Sequence, residues 1–342
     1  MSGSIPSPGQ LAPGILLAAT VAVAAVLSAP FVAKAFPIPA MVIALLIGIA
    51  LHFVANRPLF QPGLAFCVRT VLRWAVALLG LRIALGDIFA LGVTTAAIVV
   101  LAMLATLVSG VLFARLLGLS SFYGALAGAS TAVCGASAAL ATSTVLPNYP
   151  KKAADVAFVV VAVNALSTLA MVLYPVFCAW AGFDARTSGV FLGATIHDVA
   201  QVVGAGYSIS DDAGNAAVIV KLFRVFLLLP VVVGIGWWLA RTGSAQSNAK
   251  VPIPVFAIVF VLLCLVNSFA PGIASIAPVF AMLKPILVEV STWGLLIAIG
   301  ALGLGTSVNS ILGLGWRHIA TITGTTTIIL IVAFAGLLIA GL

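Results

Sequence analysis

The stretch G-A-T-I-H-D-V-A-Q-V-V-G-A-G, Gly193 to Gly206, places a titratable pair, His197 and Asp198, among glycines and small apolar residues. Only 6% of the 342-residue chain is Asp, Glu, Lys or Arg. An ionisable group at membrane depth costs on the order of 2.5 to more than 10 kcal/mol, and it survives where it faces protein or water and serves a function. The stretch therefore reads as an interrupted helix around a polar site, provided that the chain around it is a membrane protein.

The composition meets that condition. Hydrophobic residues make up 63% of the chain and the mean hydropathy is +1.32, whereas a soluble domain is roughly half apolar and about a quarter charged. The apolar residues fall into blocks at 14–33, 38–55, 64–85, 88–116, 121–146, 153–181, 187–208, 216–240, 252–270, 283–308 and 317–341. Most are long enough to cross a hydrocarbon core of ~30 Å. Inside that core the backbone must satisfy its own polar groups, so spans are helices or closed barrels. Barrel strands alternate polar with apolar over ~10 residues, and these blocks do not.

The expected fold is an all-α polytopic membrane protein with discontinuous helices. It forms a single membrane domain over 1–342, with halves at 14–181 and 187–341 and a polar linker at 241–250. If 187–208 is re-entrant there are about ten spans, and if it crosses there are eleven. No Lys or Arg precedes the first block, so Gly14 to Ala33 is expected to stay as a helix, because a cleaved signal would carry a positive n-region.

The formal net charge is +8, yet the basic residues fall singly or in pairs at block ends, as membrane topology favours. No basic, aromatic-interleaved patch is present, so no nucleic-acid partner is expected. The four cysteines, Cys67, Cys134, Cys178 and Cys264, lie in or beside apolar segments without metal spacing, so no metal or cofactor is expected.

A second segment resembles the first in kind. Residues 124–144, G-A-L-A-G-A-S-T-A-V-C-G-A-S-A-A-L-A-T-S-T, are dense in Gly, Ala, Ser and Thr. Small residues also let membrane helices pack closely, which accounts for part of this pattern. Its other reading is a broken helix. A half-helix N-terminus there would expose amides near Cys134 and Gly135, with Ser130, Thr131 and Ser137 as hydroxyl donors to an anion.

The remaining candidates are cationic. Lys221 and Arg224, in A-V-I-V-K-L-F-R-V-F, are three apart and share a helix face. Arg82 lies in L-L-G-L-R-I-A-L-G, five residues before Asp87. Arg69, Arg73 and Glu289 are further ionisable residues in apolar blocks. His197 and Gln201, four apart, share a face if helical, and His197 with Asp198 is suited to taking up a proton. Basic groups outnumber acidic ones, which favours an anion, whereas a sodium site would want carboxylates and carbonyls.

Cys134 or a nearby Ser with His197 and Asp198 lists the members of a nucleophilic triad. However, His and Asp adjacent on one helix cannot easily form the bond that a triad requires. Neither H-E-x-x-H nor G-x-S-x-G is present. An enzyme is not expected.

A weak internal repeat also appears. I-P-A-M-V-I-A-L-L from Ile38 is similar to I-P-V-F-A-I-V-F-V from Ile253, and W-A-V-A-L-L-G-L-R from Trp74 to W-G-L-L-I-A-I-G-A from Trp293. Repeated units of this kind occur in secondary transporters.

Taken together, L-L-G-L-R-I at 78–83, G-A-S-T-A-V-C-G-A-S-A-A-L-A-T at 128–142 and the His197 stretch at 193–206 resemble the YeiH family of bacterial inner-membrane proteins. A-A-V-I-V-K-L-F-R-V at 216–225, V-N-S-F at 266–269 and A-L-G-L-G-T at 301–306 extend the resemblance over nearly the whole chain. Relatives often have Glu after the histidine, where this chain has Asp198.

A sulfate-exporter role is ascribed to that family. The resemblance implies a secondary transporter related to the cation/proton antiporter and bile-acid transporter fold, with inverted repeats, helices crossing near the midplane, a homodimer and the inner membrane. The expected function is proton-coupled transport of a small sulfate- or sulfite-like anion. A cation/proton antiporter, an organic-anion transporter of the same fold and an anion channel are the alternatives.

Overall fold

The computed structural model describes residues 7–32, 40–149, 151–241, 255–305 and 315–341. Among these residues all regular structure is helical. In chain order the α-helices are α1 (Pro8–Val32), α2 (Ala40–Ala50), α3 (His52–Ala55), α4 (Gln61–Phe66), α5 (Leu72–Leu78), α6 (Leu85–Ala90), α7 (Gly92–Leu116), α8 (Ser121–Ala132), α9 (Ala136–Val145), α10 (Lys152–Trp180), α11 (Ala185–Thr195), α12 (Val199–Ile209), α13 (Asp211–Phe226), α14 (Leu228–Arg241), α15 (Val255–Phe269), α16 (Ala277–Gly305) and α17 (Trp316–Ile339). A π-helical turn at Cys67–Val71 joins α4 to α5, and a 3-10 turn at Leu79–Leu81 extends the run beyond α5.

Eight helical runs among the described residues are long and apolar enough to cross a membrane. They account for eight of the eleven apolar blocks. Of the others, 38–55 holds α2 and α3, while 121–146 and 187–208 are each two short helices. The protein is thus an all-α polytopic membrane protein with discontinuous helices. The linker residues 242–250 and Thr306 lie outside the described residues.

Two spatial units interleave along the chain, a different division from sequence halves of 14–181 and 187–341. The first comprises Met1–Ile88 and Val255–Ser307, and the second Phe89–Pro254 and Val308–Leu342. The described parts of the repeat stretches, in α2, α5, α15 and α16, all belong to the first unit. There, α2 meets α16 where Gly48 faces Gly303, so closely that a Cβ at Gly48 would stand 2.6 Å from the Gly300 carbonyl.

The second unit is organised by two helical hairpins. In the first, α8 and α9 are joined by Val133–Gly135, where Gly135 takes φ +63°, a conformation that glycine adopts without steric cost. The chain then turns back. Phe122 at the start of α8 stacks on Tyr149 beyond α9, with ring centroids 5.7 Å apart. Tyr123, Leu126, Ala139 and Leu146 share one buried cluster with Leu239 near the end of α14.

In the second hairpin, α11 and α12 are joined by Ile196–Asp198. Gly189 of α11 and Gly206 of α12 both abut the first turn of α13, where added Cβ atoms would lie 2.4 and 3.3 Å from the Ala213 carbonyl. Both arms therefore begin and end at the same level. Each arm has 10 to 12 residues and reaches about 15–18 Å, roughly half of a hydrocarbon core.

The hairpins enter from opposite ends of the unit. The base of the first lies by the end of α14 and the start of α17, where Tyr123 Oη donates to the His318 carbonyl at 3.0 Å. The base of the second lies by the start of α13 and the far ends of α10 and α17, where Phe177, Phe183 and Phe334 contact one another. At that base Asp184 caps α11, accepting from the Thr187 N–H at 2.7 Å. The bonds from Thr187 hold its carboxyl below the usual carboxylate range.

Segment 187–208 is thus re-entrant, and so is 121–146, which its length alone would have counted as a crossing. The discontinuous helices meet tip to tip instead of passing across each other.

Close packing fixes the arms. Gly110 of α7 faces Gly124 and Gly128 of α8, and a Cβ at Gly110 would stand 2.5 Å from the Gly124 carbonyl and 2.7 Å from the Gly128 Cα. Backbone cannot yield as a flexible side-chain end can. Gly110→Val should therefore destabilise the protein by at least about 1–3 kcal/mol, the usual penalty of overpacking. Gly234→Ala, at a glycine with nothing within 4 Å of its added Cβ, should melt like the parent. Thermal unfolding in detergent measures both.

Candidate functional site

A helix leaves its last four carbonyls without intrahelical partners, and at membrane depth no water replaces them. Hairpins that end inside the unit bring this problem to one place. The C-terminal ends of α8 and α11 are the tips' buried ends, and α13 supplies the donors. Lys221 Nζ donates to Val133 O at 2.6 Å, to Ile196 O at 3.0 Å and to His197 O. Three carbonyl acceptors require three N–H groups, so this is an ammonium and not an amine.

Arg224 works beside it. Its Nε donates to Ala132 O at 2.9 Å, one terminal nitrogen to Gly193 O and Ile196 O at 2.9 Å each, and the other to Thr131 O at 2.8 Å. Both side chains have no solvent exposure. Together they serve six different carbonyls, three from each hairpin. Lys221 stands ten residues from Asp211 and twenty from Arg241, about 15 Å and about 30 Å along the α13–α14 run, so the tips meet well inside it.

The N-terminal ends of α9 and α12 form the other side of the junction. Gly135 caps α9 without a side chain. A Cβ added there would come within 3.8 Å of the Asp198 Cβ, which sets the two tips in direct contact. Asp198 caps α12, with Oδ1 accepting from the Ala200 N–H at 3.0 Å, and its own N–H donates to Ser167 Oγ at 3.0 Å. Ala136, Asp198 and Val199 are half-buried and Ser137 is exposed. The accessible face of the junction is therefore made of helix N-termini, while the C-terminal ends are sealed on Lys221 and Arg224.

Around the tips runs a belt of polar side chains from α10 and α17. His197, 1% exposed, meets Thr326 Oγ1 through Nε2 at 3.0 Å. Gln201 Nε2 donates to Asn164 Oδ1 at 3.0 Å and lies 3.4 Å from Thr168 Oγ1. Thr131 Oγ1 and Thr325 Oγ1 are 3.0 Å apart. Asn164, Ser167, Thr168, Thr325 and Thr326 were not singled out from the sequence. Asn164 inside an otherwise apolar helix was the signal available, since such a residue at membrane depth needs a partner.

Of the sequence candidates, Ser130, Thr131, Cys134, Gly135, Ser137, His197, Asp198, Gln201, Lys221 and Arg224 all belong to the two tips or to the helix that binds them. Their roles differ in detail from the expectation. The Ser130 hydroxyl donates to Leu126 O at 2.6 Å, so its proton is committed to its own helix. The Thr131 and Thr325 hydroxyls lie 3.0 Å apart, and either can donate to the other. Lys221 and Arg224 face backbone carbonyls.

Arg82 is a half-buried residue of the first unit, at the end of the Leu79–Leu81 turn. Asp87, five residues on, accepts from the Ala84 N–H at 2.8 Å. Arg69, Arg73 and Glu289, also in the first unit, are exposed, and Glu289 accepts from Trp293 Nε1 at 2.8 Å. Among the described residues no cluster of three His, Cys, Asp or Glu side chains is present.

A membrane protein is also what sequence comparison gives. The family model described as conserved hypothetical protein 698 matches residues 13–322. The UPF0324 membrane protein TauZ of Paracoccus pantotrophus is 42% identical over 351 residues, covering 100% of both chains. A UPF0324 membrane protein of Chlorobaculum tepidum is 41% identical over 319 residues, covering 92% of this chain and 86% of the relative. Another, from Rhizobium meliloti, is 39% identical over 328 residues, covering 95% and 92%. The chain belongs to this UPF0324 family of membrane proteins, consistent with the resemblance to YeiH proteins. The relatives' names carry no sulfate label.

The geometry sets a strong requirement on Arg224. A buried acceptor left unsatisfied costs about 1–3 kcal/mol, and Arg224 serves four carbonyls. Arg224→Gln, with a shorter side chain and two N–H groups, should lower stability by several kcal/mol on that scale. Arg224→Lys, which keeps the charge, should fall between. Monodisperse yield and thermal melting in detergent check the order.

Proposed function

We propose that the protein is a secondary active transporter of a small anion of the sulfate or sulfite class, coupled to protons. It works as a homodimer in the bacterial inner membrane. Its substrate binds where the two hairpin tips meet. The observation that carries this reading is the polarity of the tips: their negative ends are buried on Lys221 and Arg224, and their accessible ends are positive.

Each helix end carries about half an elementary charge, and in two hairpins these cancel in pairs. Two buried cations against the carboxylate of Asp198 then leave about one positive charge for the substrate to balance. Amides of the first turn of α9, with Ser137, receive the anion. Gly135 admits it, Cys134, Ser130 and Thr131 line the tip, and Lys221 and Arg224 hold the tips in position. His197, with Asp198 and Gln201, links binding to a proton. The opposite entry of the hairpins is the arrangement that inverted repeats would produce. Engagement of His197 by Thr326 and of Asp198 by the Ala200 amide suits ligand binding and not a nucleophilic relay.

Counterflow in liposomes with purified protein tests this reading. Labelled sulfate, sulfite, thiosulfate and small organic sulfonates are the substrates to try. At least one should accumulate against unlabelled internal anion. Flux that only dissipates a gradient would mean a channel, and no flux of any of them would remove the anion class.

Coupling is reciprocal, so proton and anion must alter each other's binding equally. If they enter together, anion affinity falls as pH rises between about 5 and 8, the window of histidine titration. In His197→Gln that dependence should flatten, as titration calorimetry across pH would record.

A further inference from the structure

Two polar atoms at the tip of the second hairpin have no hydrogen-bond partner although they are buried: His197 Nδ1 and Gln201 Oε1. Their residues are 1% and 0% exposed. They flank the Asp198 cap, one immediately before it and one in the first turn of α12. Buried polar atoms are ordinarily paired, and an exception calls for an explanation.

Proton counting fixes the character of both atoms. The Thr326 hydroxyl donates its one hydrogen to Ile322 O at 2.9 Å. With that hydrogen placed on Ile322 O, the tautomer that pairs with Thr326 has its N–H on Nε2 and its lone pair on Nδ1. Likewise Thr168 donates its hydrogen to Asn164 O at 2.9 Å, so the Gln201 atom facing Thr168 is the amide nitrogen. Oε1 is the free end.

A capping box would have used that oxygen. In the pattern Asp-x-x-Gln the glutamine reaches back to the backbone N–H of the cap residue. Here Ser167 accepts the Asp198 N–H instead, and Gln201 Oε1 is released. Two buried acceptors therefore stand within one turn of a helix N-terminus.

We infer that the transported anion carries its own hydrogen-bond donor: it is a singly charged oxyanion bearing O–H or N–H, held with that hydrogen on His197 Nδ1 and Gln201 Oε1. The inference rests on the anion-transport reading and narrows it. The single charge matches the net charge of about one at the tips. The donor requirement excludes fully deprotonated dianions as the bound form.

Three small probes of nearly equal shape separate these requirements. Sulfamate is a monoanion with an amino donor, methanesulfonate a monoanion with a methyl in its place, and methanesulfonamide a neutral molecule with the amino group. Titration calorimetry on the full-length protein in detergent should give sulfamate about tenfold or more tighter binding than methanesulfonate. A site built to pair a polar group rejects the analogue that lacks it. Methanesulfonamide should bind more weakly than sulfamate.

Gln201→Met, which removes the acceptor, should bring the two anions closer in affinity, with thermal melting as the control for folding. If that variant does not fold, the ratio in the parent protein decides. Equal binding of sulfamate and methanesulfonate overturns the donor requirement and leaves the anion reading standing. Binding of methanesulfonamide alone, or of none of the three, overturns both.

Discussion

Six carbonyl oxygens at the inner ends of α8 and α11 have no helical partner, and the hairpins of the second unit can exist only if something meets them. Lys221 and Arg224 do so. A single continuous helix would not have needed them, because its ladder would carry through the membrane. Burying two cations is costly unless each is fully hydrogen-bonded, and here the acceptors and donors each remove the other's penalty. Neither the tips nor the cations would be tolerable alone. This mutual requirement explains why two basic residues sit one helical turn apart in the middle of an apolar rod.

The same constraint orders the surrounding packing. For α13 to reach both tips, the arms of the second hairpin must lie almost on its backbone, and Gly189, Gly193 and Gly206 permit that approach. The first hairpin reaches the junction along α7, through Gly124 and Gly128 against Gly110. The long helices α10 and α17 then supply short polar side chains at the level of the tips, where Ser167, Thr168 and Thr326 serve groups that the cations do not. Position along each helix, and not residue type alone, decides which threonines pack and which ones bond.

Much of this was legible in the sequence, for physical reasons that also set its limits. Apolar block length, the scarcity of charge and the glycine-bounded His197–Asp198 pair follow from local composition, so the polytopic class and both helix breaks could be read directly. The direction of the chain after each break could not. Reversal depends on contacts such as Phe122 with Tyr149 and on the left-handed Gly135, and a block of 26 residues looks long enough to cross. Lys221 and Arg224 were recognisable as deep cations, but their acceptors are backbone carbonyls, which no residue identity betrays. Thr326, 129 residues from His197, sits in a run of threonines that resembles ordinary helix-packing surface.

The two hairpins are alike in length and opposite in direction, yet their caps differ, and that difference gives the junction its polarity. The Gly135 cap has no side chain to place over the first amides of α9, whereas Asp198 places a carboxylate over those of α12. Aspartate suits this role better than the glutamate common in YeiH relatives, since its short arm reaches the N2 amide of its own helix, here that of Ala200. The acid is thereby held on α12. On the proposed reading an anion has one favourable N-terminus to occupy and one already occupied by the protein's own charge. Two unlike caps thus turn a nearly symmetric junction into a site with a single preferred place for negative charge.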